Sequence, residues 1–297
     1  MNPIRRLHLL DLAVNVFRFG APVCLGALGE TLQQKSGVLN IGLEGLMLTA
    51  AFASMLAAKQ TSNPWIGLAV GLLAALILAL LQGVFVLTWS MDQVVVGTVV
   101  NLFALGITST VFRMIFGASG QLISVPKLPT LFWGLDFVLL LIPVLAILLA
   151  WLFAKTKWGL AVRAAGENPK ALSAAGFSPA KVRWMALVGG GLMAGLAGSY
   201  YTLGITGSFA EDTIAGRGFI AIAMVTFGRW NPIWVLLASL LVGAAEQVQF
   251  SLQTVNQGIP VQFFSILPYV CALVVLIVAG KGTSAPESLG QPWKQSK

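Results

Sequence analysis

Three carboxylates, Glu30, Glu44 and Glu246, lie within or at the end of long apolar runs. An ionised side chain in hydrocarbon is costly, so such residues face a bundle interior or a wet cavity. Asn40 and Glu44 stand four apart, and on a continuous helix they share one face, offering donor and acceptor groups to a polar solute. Asn101 sits inside another apolar run; an amide there also serves to bond a neighbouring helix. Asn40, Glu44, Asn101 and Glu246 are therefore the candidates for lining a solute path, and proton carriage is the other chemistry open to Glu44. For Glu44 two roles stand side by side, lining that path or satisfying the backbone of a helix broken beside Gly42 and Gly45. Glu246, next to Gln247 near the end of its run, reads first as a solvated helix terminus. Covalent chemistry is not indicated. The one histidine (His8) and two isolated cysteines (Cys24, Cys271) make no metal cluster or nucleophile pair. No GxxxxGK[ST] phosphate loop is present, so the chain does not hydrolyse ATP by itself.

The elements that position these groups are membrane spans. The 297 residues are 57% hydrophobic and 9% charged, where soluble domains carry about 25% charged residues. Apolar runs reach the roughly 20 residues that cross a bilayer as a helix. The fold class is an all-α polytopic membrane protein with about nine (eight to ten) spans, a single transmembrane unit over residues 1–297 with its core at 12–280. Candidate spans are 12–32, 38–58, 64–89, 94–116, 137–154, 184–205, the half-length 218–227, 233–250 and 263–279. Residues 4–12 read as a short interfacial helix, residues 33–36 as a polar break, and the tail 281–297, with its Pro, Gly and Ser, as disordered. Gly191, Gly195 and Ser199 form a small-residue stripe for close helix approach. GVLNIGL (37–43) and GFIAIAM (218–224) suggest an inverted internal repeat.

Residues 155–183, KTKWGLAVRAAGENPKALSAAGFSPAKVR, form the longest polar interval, with six cations and one carboxylate, Glu167. Lys and Arg concentrated beside spans mark the cytoplasmic side, and this loop supplies +5 of the net charge of +8. The basicity is thus topological, with no case for nucleic-acid binding. Counting back from this loop puts the N-terminus outside, against the evidence of Arg5 and Arg6. Asn168 caps a helix that begins with Pro169 and closes at Gly176; Ser178-Pro179 starts the next. So short a helix, 169–175, needs a surface to dock on. Its side chains Ala171 and Ala174 are small, with Lys170 between its start and that pair. An ordinary loop with a helical turn is the alternative.

SGVLNIGLEGLMLTAAFAS (36–54), WGLAVRAAGENPKALSAAGFSPAKV (158–182) and GRGFIAIAMVTFGRWNP (216–232) resemble the permease subunits of bacterial ABC importers for nucleosides and simple sugars. The likeness extends over about residues 12–280, and the second stretch is common to the wider superfamily carrying ribose and branched-chain amino acids. The resemblance implies a bacterial cytoplasmic-membrane protein moving nucleosides or related ribose-containing solutes inward. It makes Pro169 and its followers the ATPase-coupling helix, with Glu167, Asn168, Lys170, Ala171, Ala174 and Gly176. It implies as partners an ABC ATPase subunit holding ATP and Mg, a second homologous permease and an extracytoplasmic solute-binding lipoprotein, besides the solute and membrane lipid. A stand-alone transporter coupled to H⁺ or Na⁺ through Glu44 is the alternative function.

Overall fold

The computed structural model describes residues 3–117, 122–131, 134–255 and 284–292, with a few single positions between 264 and 277. Ten α-helices follow in order: α1 (Pro3–Lys35), α2 (Leu43–Thr61), α3 (Pro64–Gly83), α4 (Gln93–Phe116), α5 (Phe137–Lys155), α6 (Lys157–Glu167), α7 (Pro169–Ala174), α8 (Pro179–Tyr200), α9 (Arg217–Phe227) and α10 (Pro232–Val255). α3 and α8 each run on into a π turn, Val84–Thr88 and Tyr201–Thr206. Starts are set locally. Asn63, Asp92, Asp136, Thr156, Asn168 and Ser178 each accept a hydrogen bond from a backbone N–H of the turn they open, satisfying donors that have no partner inside the helix.

Among the described residues five helices are long and apolar enough to cross a membrane: Asp11–Lys35, Pro64–Thr88, Gln93–Phe116, Phe137–Lys155 and Pro232–Gln253. α2 and α8 have the length but not that apolarity. The small-residue stripe on α8 packs against α3: a Cβ added to Gly191 would come 2.6 Å from Ala79 Cβ, and one on Gly195 2.9 Å from Leu72 Cα. α1 and α10 meet as closely, at Gly20 and Gly243.

The bundle has two distinct ends. At one, Lys35 closes α1 beside Phe153 of α5, and Gly166 of α6 rests on the Lys35 carbonyl. At the other, Arg18 bonds the Gly134 carbonyl, and Trp65 meets the Phe137 ring at 6.0 Å. There too β1 (Ile123–Ser124) pairs antiparallel with β2 (Ser208–Phe209). The polar interval 155–183 therefore shares an end with the close of α1, not with its start.

Several expectations change. Residues 4–12 are no separate helix but part of α1, which also absorbs Gln33 and Gln34 because their side-chain amides find partners: Gln33 Nε2 donates to Leu187 O at 3.2 Å, and Gln34 Nε2 to Glu30 Oε1 at 2.9 Å. The span 38–58 is not continuous. Backbone from 36 to 42 is non-helical and α2 begins only at Leu43, so Asn40 and Glu44 share no helix face. Residues 37–42 are loop where 218–223 are helix, so the two sequence stretches do not match in local structure. α10 continues past residue 250 to Val255. The expected final span 263–279, with Cys271 in it, and the polar stretch before it lie largely outside the described residues.

Candidate functional site

The loop 36–42 dives back into the bundle, and Leu43 lies against Gly26, nine residues before α1 ends and so ~13 Å inside. Irregular backbone at that depth survives only where protein satisfies it. Four helices do so. Glu30 Oε1 accepts from Asn40 N at 3.0 Å, Gln93 Oε1 from Leu39 N at 2.6 Å, and Gln82 Nε2 donates to Asn40 Oδ1 at 2.8 Å. Asn101 bridges the start of α2, accepting from Gly45 N at 2.8 Å and donating to Ile41 O at 2.9 Å.

α9 starts at the same level, with Ala221 also against Gly26. The two short ends meet head to head through Glu44. Its Oε1 accepts from Gly216 N at 2.7 Å and its Oε2 from Gly218 N at 2.6 Å, placing negative charge on the positive end of α9. Gly218 is required by contact, since a Cβ there would lie 2.6 Å from Glu44 Cα. From this junction α2 runs to Lys59, whose ammonium covers the Phe116 ring, while α9 runs the other way to Trp230, whose indole donates to Gln34 at 2.7 Å. Beside the junction is a cavity of about 330 Å³ lined by Glu44, Thr98, Asn101, Leu102, Asp212 and Phe219 among others.

At the end marked by Lys35, α6 and α7 stand outside the spans. Asn168 Oδ1 accepts from Ala171 N at 3.0 Å and Pro169 takes the first helical position. Gly176 at φ +85° supplies the left-handed residue that ends the turn, where the Phe177 N–H closes on Leu172 O. Leu172 is buried, whereas Lys170, Ala171 and Ala174 face outward. α7 ends at Ala174, one residue short of the expected close.

Residues 12–278 match the model of the branched-chain amino acid transport system / permease component family. The chain belongs to this permease family. It is 30% identical to the guanosine ABC transporter permease protein NupQ of Bacillus subtilis, over 94% of this chain and 95% of the relative. It is 29% identical to the nucleoside ABC transporter permease protein NupC of Lactococcus lactis, over the full length of both. No solved structure matches. The permease is thus a multi-pass subunit of the plasma membrane and not an enzyme.

Of the four path candidates, the permease brings only Glu44 and Asn101 to the cavity. Asn40, 3% exposed, does not line it: its backbone N–H donates to Glu30 and its side-chain oxygen accepts from Gln82. Glu246 is no solvated terminus: it is buried, with Oε1 3.1 Å from Arg217 Nε, and the Arg217 guanidinium lies over the Tyr201 ring at 4.3 Å. A cation at the start of α9 faces that helix's own positive end, and Glu246 supplies the compensating charge. Asp212 and Gln82 escaped the sequence reading. Gln82 had one available signal, an amide in an otherwise apolar run.

The tail also departs from expectation. Residues 284–292 are docked: Ser288 N and Oγ both bond Gly166 O, and Gly290 N donates to Gly37 O at 3.2 Å. Arg183, 1% exposed, ties this together. Its Nε donates to Ser36 O at 3.1 Å, Nη1 to Gln291 O at 3.1 Å, and Nη2 to Ser288 Oγ at 3.2 Å and Ala165 O at 3.4 Å. Burial pushes this guanidinium down to about 10, so it stays charged at neutral pH. Glu167 accepts from Glu287 N at 3.4 Å, and the end of α6 thereby touches the tail.

Proposed function

We propose that the permease is one membrane half of an ATP-driven importer for nucleosides or related ribose-containing solutes. The observation that carries this is the full-length similarity to a nucleoside and a guanosine permease. ATP and Mg belong to a partner ATPase, a second permease completes the membrane portion, and a solute-binding lipoprotein delivers the solute. The cavity beside Glu44 and Asn101 is the part of the path this chain contributes. α1 with α2, and α8 with α9, are the broken-helix pairs of an inverted repeat, which accords with α2 and α9 leaving the junction in opposite directions. About nine crossings then place the Lys35 end in the cytoplasm. Proton coupling through Glu44 is not favoured, since both of its oxygens are engaged by backbone N–H groups. In vesicles holding the permease with its partners, labelled guanosine should accumulate only with ATP and persist after an ionophore collapses the ion gradients. Accumulation driven by a gradient without ATP would reject the proposal.

α7 is the coupling helix on this reading, seated in a cleft of the ATPase. Ala171 and Ala174 point outward, so tryptophan at either site leaves the fold alone and blocks seating. Ala171→Trp or Ala174→Trp is expected to cut ATP-driven uptake by roughly tenfold or more, the loss of about 1.4 kcal/mol of docking, with normal amounts of permease in the membrane. Unchanged coupled uptake in both variants would remove α7 from the interface.

A further inference from the structure

Two cavities meet at Arg229, in the turn between α9 and α10. One, of about 680 Å³, is an apolar groove lined by Phe227, Trp234, Leu237 and Leu241 with Arg229 at its mouth. The other, of about 430 Å³, is lined by Lys35, Arg163 and Arg229, with Trp230 and a single carboxylate, Glu167. Both volumes fall within the roughly 300–1,000 Å³ of ligand sites. The three cations come from three separate parts of the fold, and among the described residues none of them forms an ion pair. The Lys35 ammonium lies over the Phe153 ring at 5.1 Å and feels both Arg163 and Glu167 through space. Glu167 is partly engaged by Glu287 N, which leaves the pocket with an excess of two positive charges. Arg229 holds its place at φ +51°, a backbone conformation that a non-glycine residue adopts only when its surroundings impose it.

We propose that this composite site holds an anionic phospholipid, its headgroup on Lys35, Arg163 and Arg229 and an acyl chain in the α9–α10 groove. Charge complementarity selects the headgroup, and continuity with the apolar groove selects a lipid over a soluble anion. Trp234, 60% exposed at the rim, is the residue type found at the membrane–water boundary. Basic pockets between spans on the cytoplasmic side take such headgroups. The inference rests on the Lys35 end being cytoplasmic, but not on which solute is carried. The site borders α6 up to Glu167, so its occupant lies against the helix that leads directly into α7, the coupling helix on the reading above.

The test uses the full chain purified with its partner subunits and reads bound lipid directly by mass spectrometry, independently of transport. Phosphatidylglycerol is expected to be retained over phosphatidylcholine, with retention falling roughly fivefold for each charge removed in Arg163→Gln and Arg229→Gln. Arg229→Lys, which keeps the charge, is expected to restore most of it and guards against a merely misfolded variant. A photoreactive acyl chain should label the α10 segment containing Trp234 and Leu237. Equal retention of both lipids, or equal protection by inorganic phosphate, would overturn the proposal. So would cross-linking of Leu237→Cys to the second permease with no lipid bound, which would make the groove a subunit interface.

Discussion

Replacing Glu44 with alanine is expected to abolish solute uptake while the permease still reaches the membrane. Glu44 holds the start of α9 by two short bonds, 2.7 Å to Gly216 N and 2.6 Å to Gly218 N. Bonds to a charged group contribute about 1.5–3 kcal/mol each, so roughly 3–6 kcal/mol of local stability is lost at one point. The Arg217–Glu246 pair still anchors α9, so the failure is local: the junction opens and the cavity loses its wall. Glu44→Gln separates this role from proton carriage. The amide keeps one acceptor and turns an N–H toward the other backbone donor, so about one bond is lost, a two- to hundredfold reduction in apparent affinity with ATP dependence intact. Uptake assays on both variants, with the membrane content of each measured, decide between the roles. Complete loss in Glu44→Gln with normal assembly and ATPase activity would restore the titrating role.

Arg183→Leu should release the tail and destabilise the Lys35 end of the bundle. The guanidinium serves four acceptors on three segments that are far apart in sequence. Leucine leaves Ser36 O without this donor in a buried place, where an unsatisfied group costs about 1–3 kcal/mol, and leaves Ala165 O dependent on Ser288 Oγ at 3.1 Å. With the tail's own bonds to the guanidinium lost as well, a total of roughly 2–5 kcal/mol is expected. Hydrogen exchange of residues 284–292 should rise at least tenfold, and the thermal midpoint should fall. Deleting residues 284–297 serves as the partner experiment: it should weaken coupling with a smaller effect on stability, because Arg183 keeps Ser36 O and Ala165 O. Native exchange in Arg183→Leu would show that other bonds hold the tail.

Local instructions were readable in the residues themselves. Five membrane-length helices followed from long apolar runs, and the starts of α7 and α8 from Asn168-Pro169 and Ser178-Pro179, because a cap and the turn it opens lie within three residues of each other. The stripe of Gly191, Gly195 and Ser199 likewise foretold a close helix contact, since helical periodicity alone puts these positions on one face.

What only the tertiary structure decided was the partner of each buried polar group. Glu44 and Gly216 are 172 residues apart, and Gln82 and Asn40 are 42 apart. An apolar run with a break looks the same from its residues as one without, because side chains from other helices decide whether a break can be afforded. Thus residues 38–42 were read as the start of a helical span, and Asn40 as sharing a helix face with Glu44. Glu246 was read as solvated because its cation, Arg217, comes from another helix. The tail's composition signalled disorder, yet it is held by backbone bonds to Gly166 and Gly37 and by one buried arginine. Backbone donors and acceptors are common to every residue, and composition says nothing about where they will find partners.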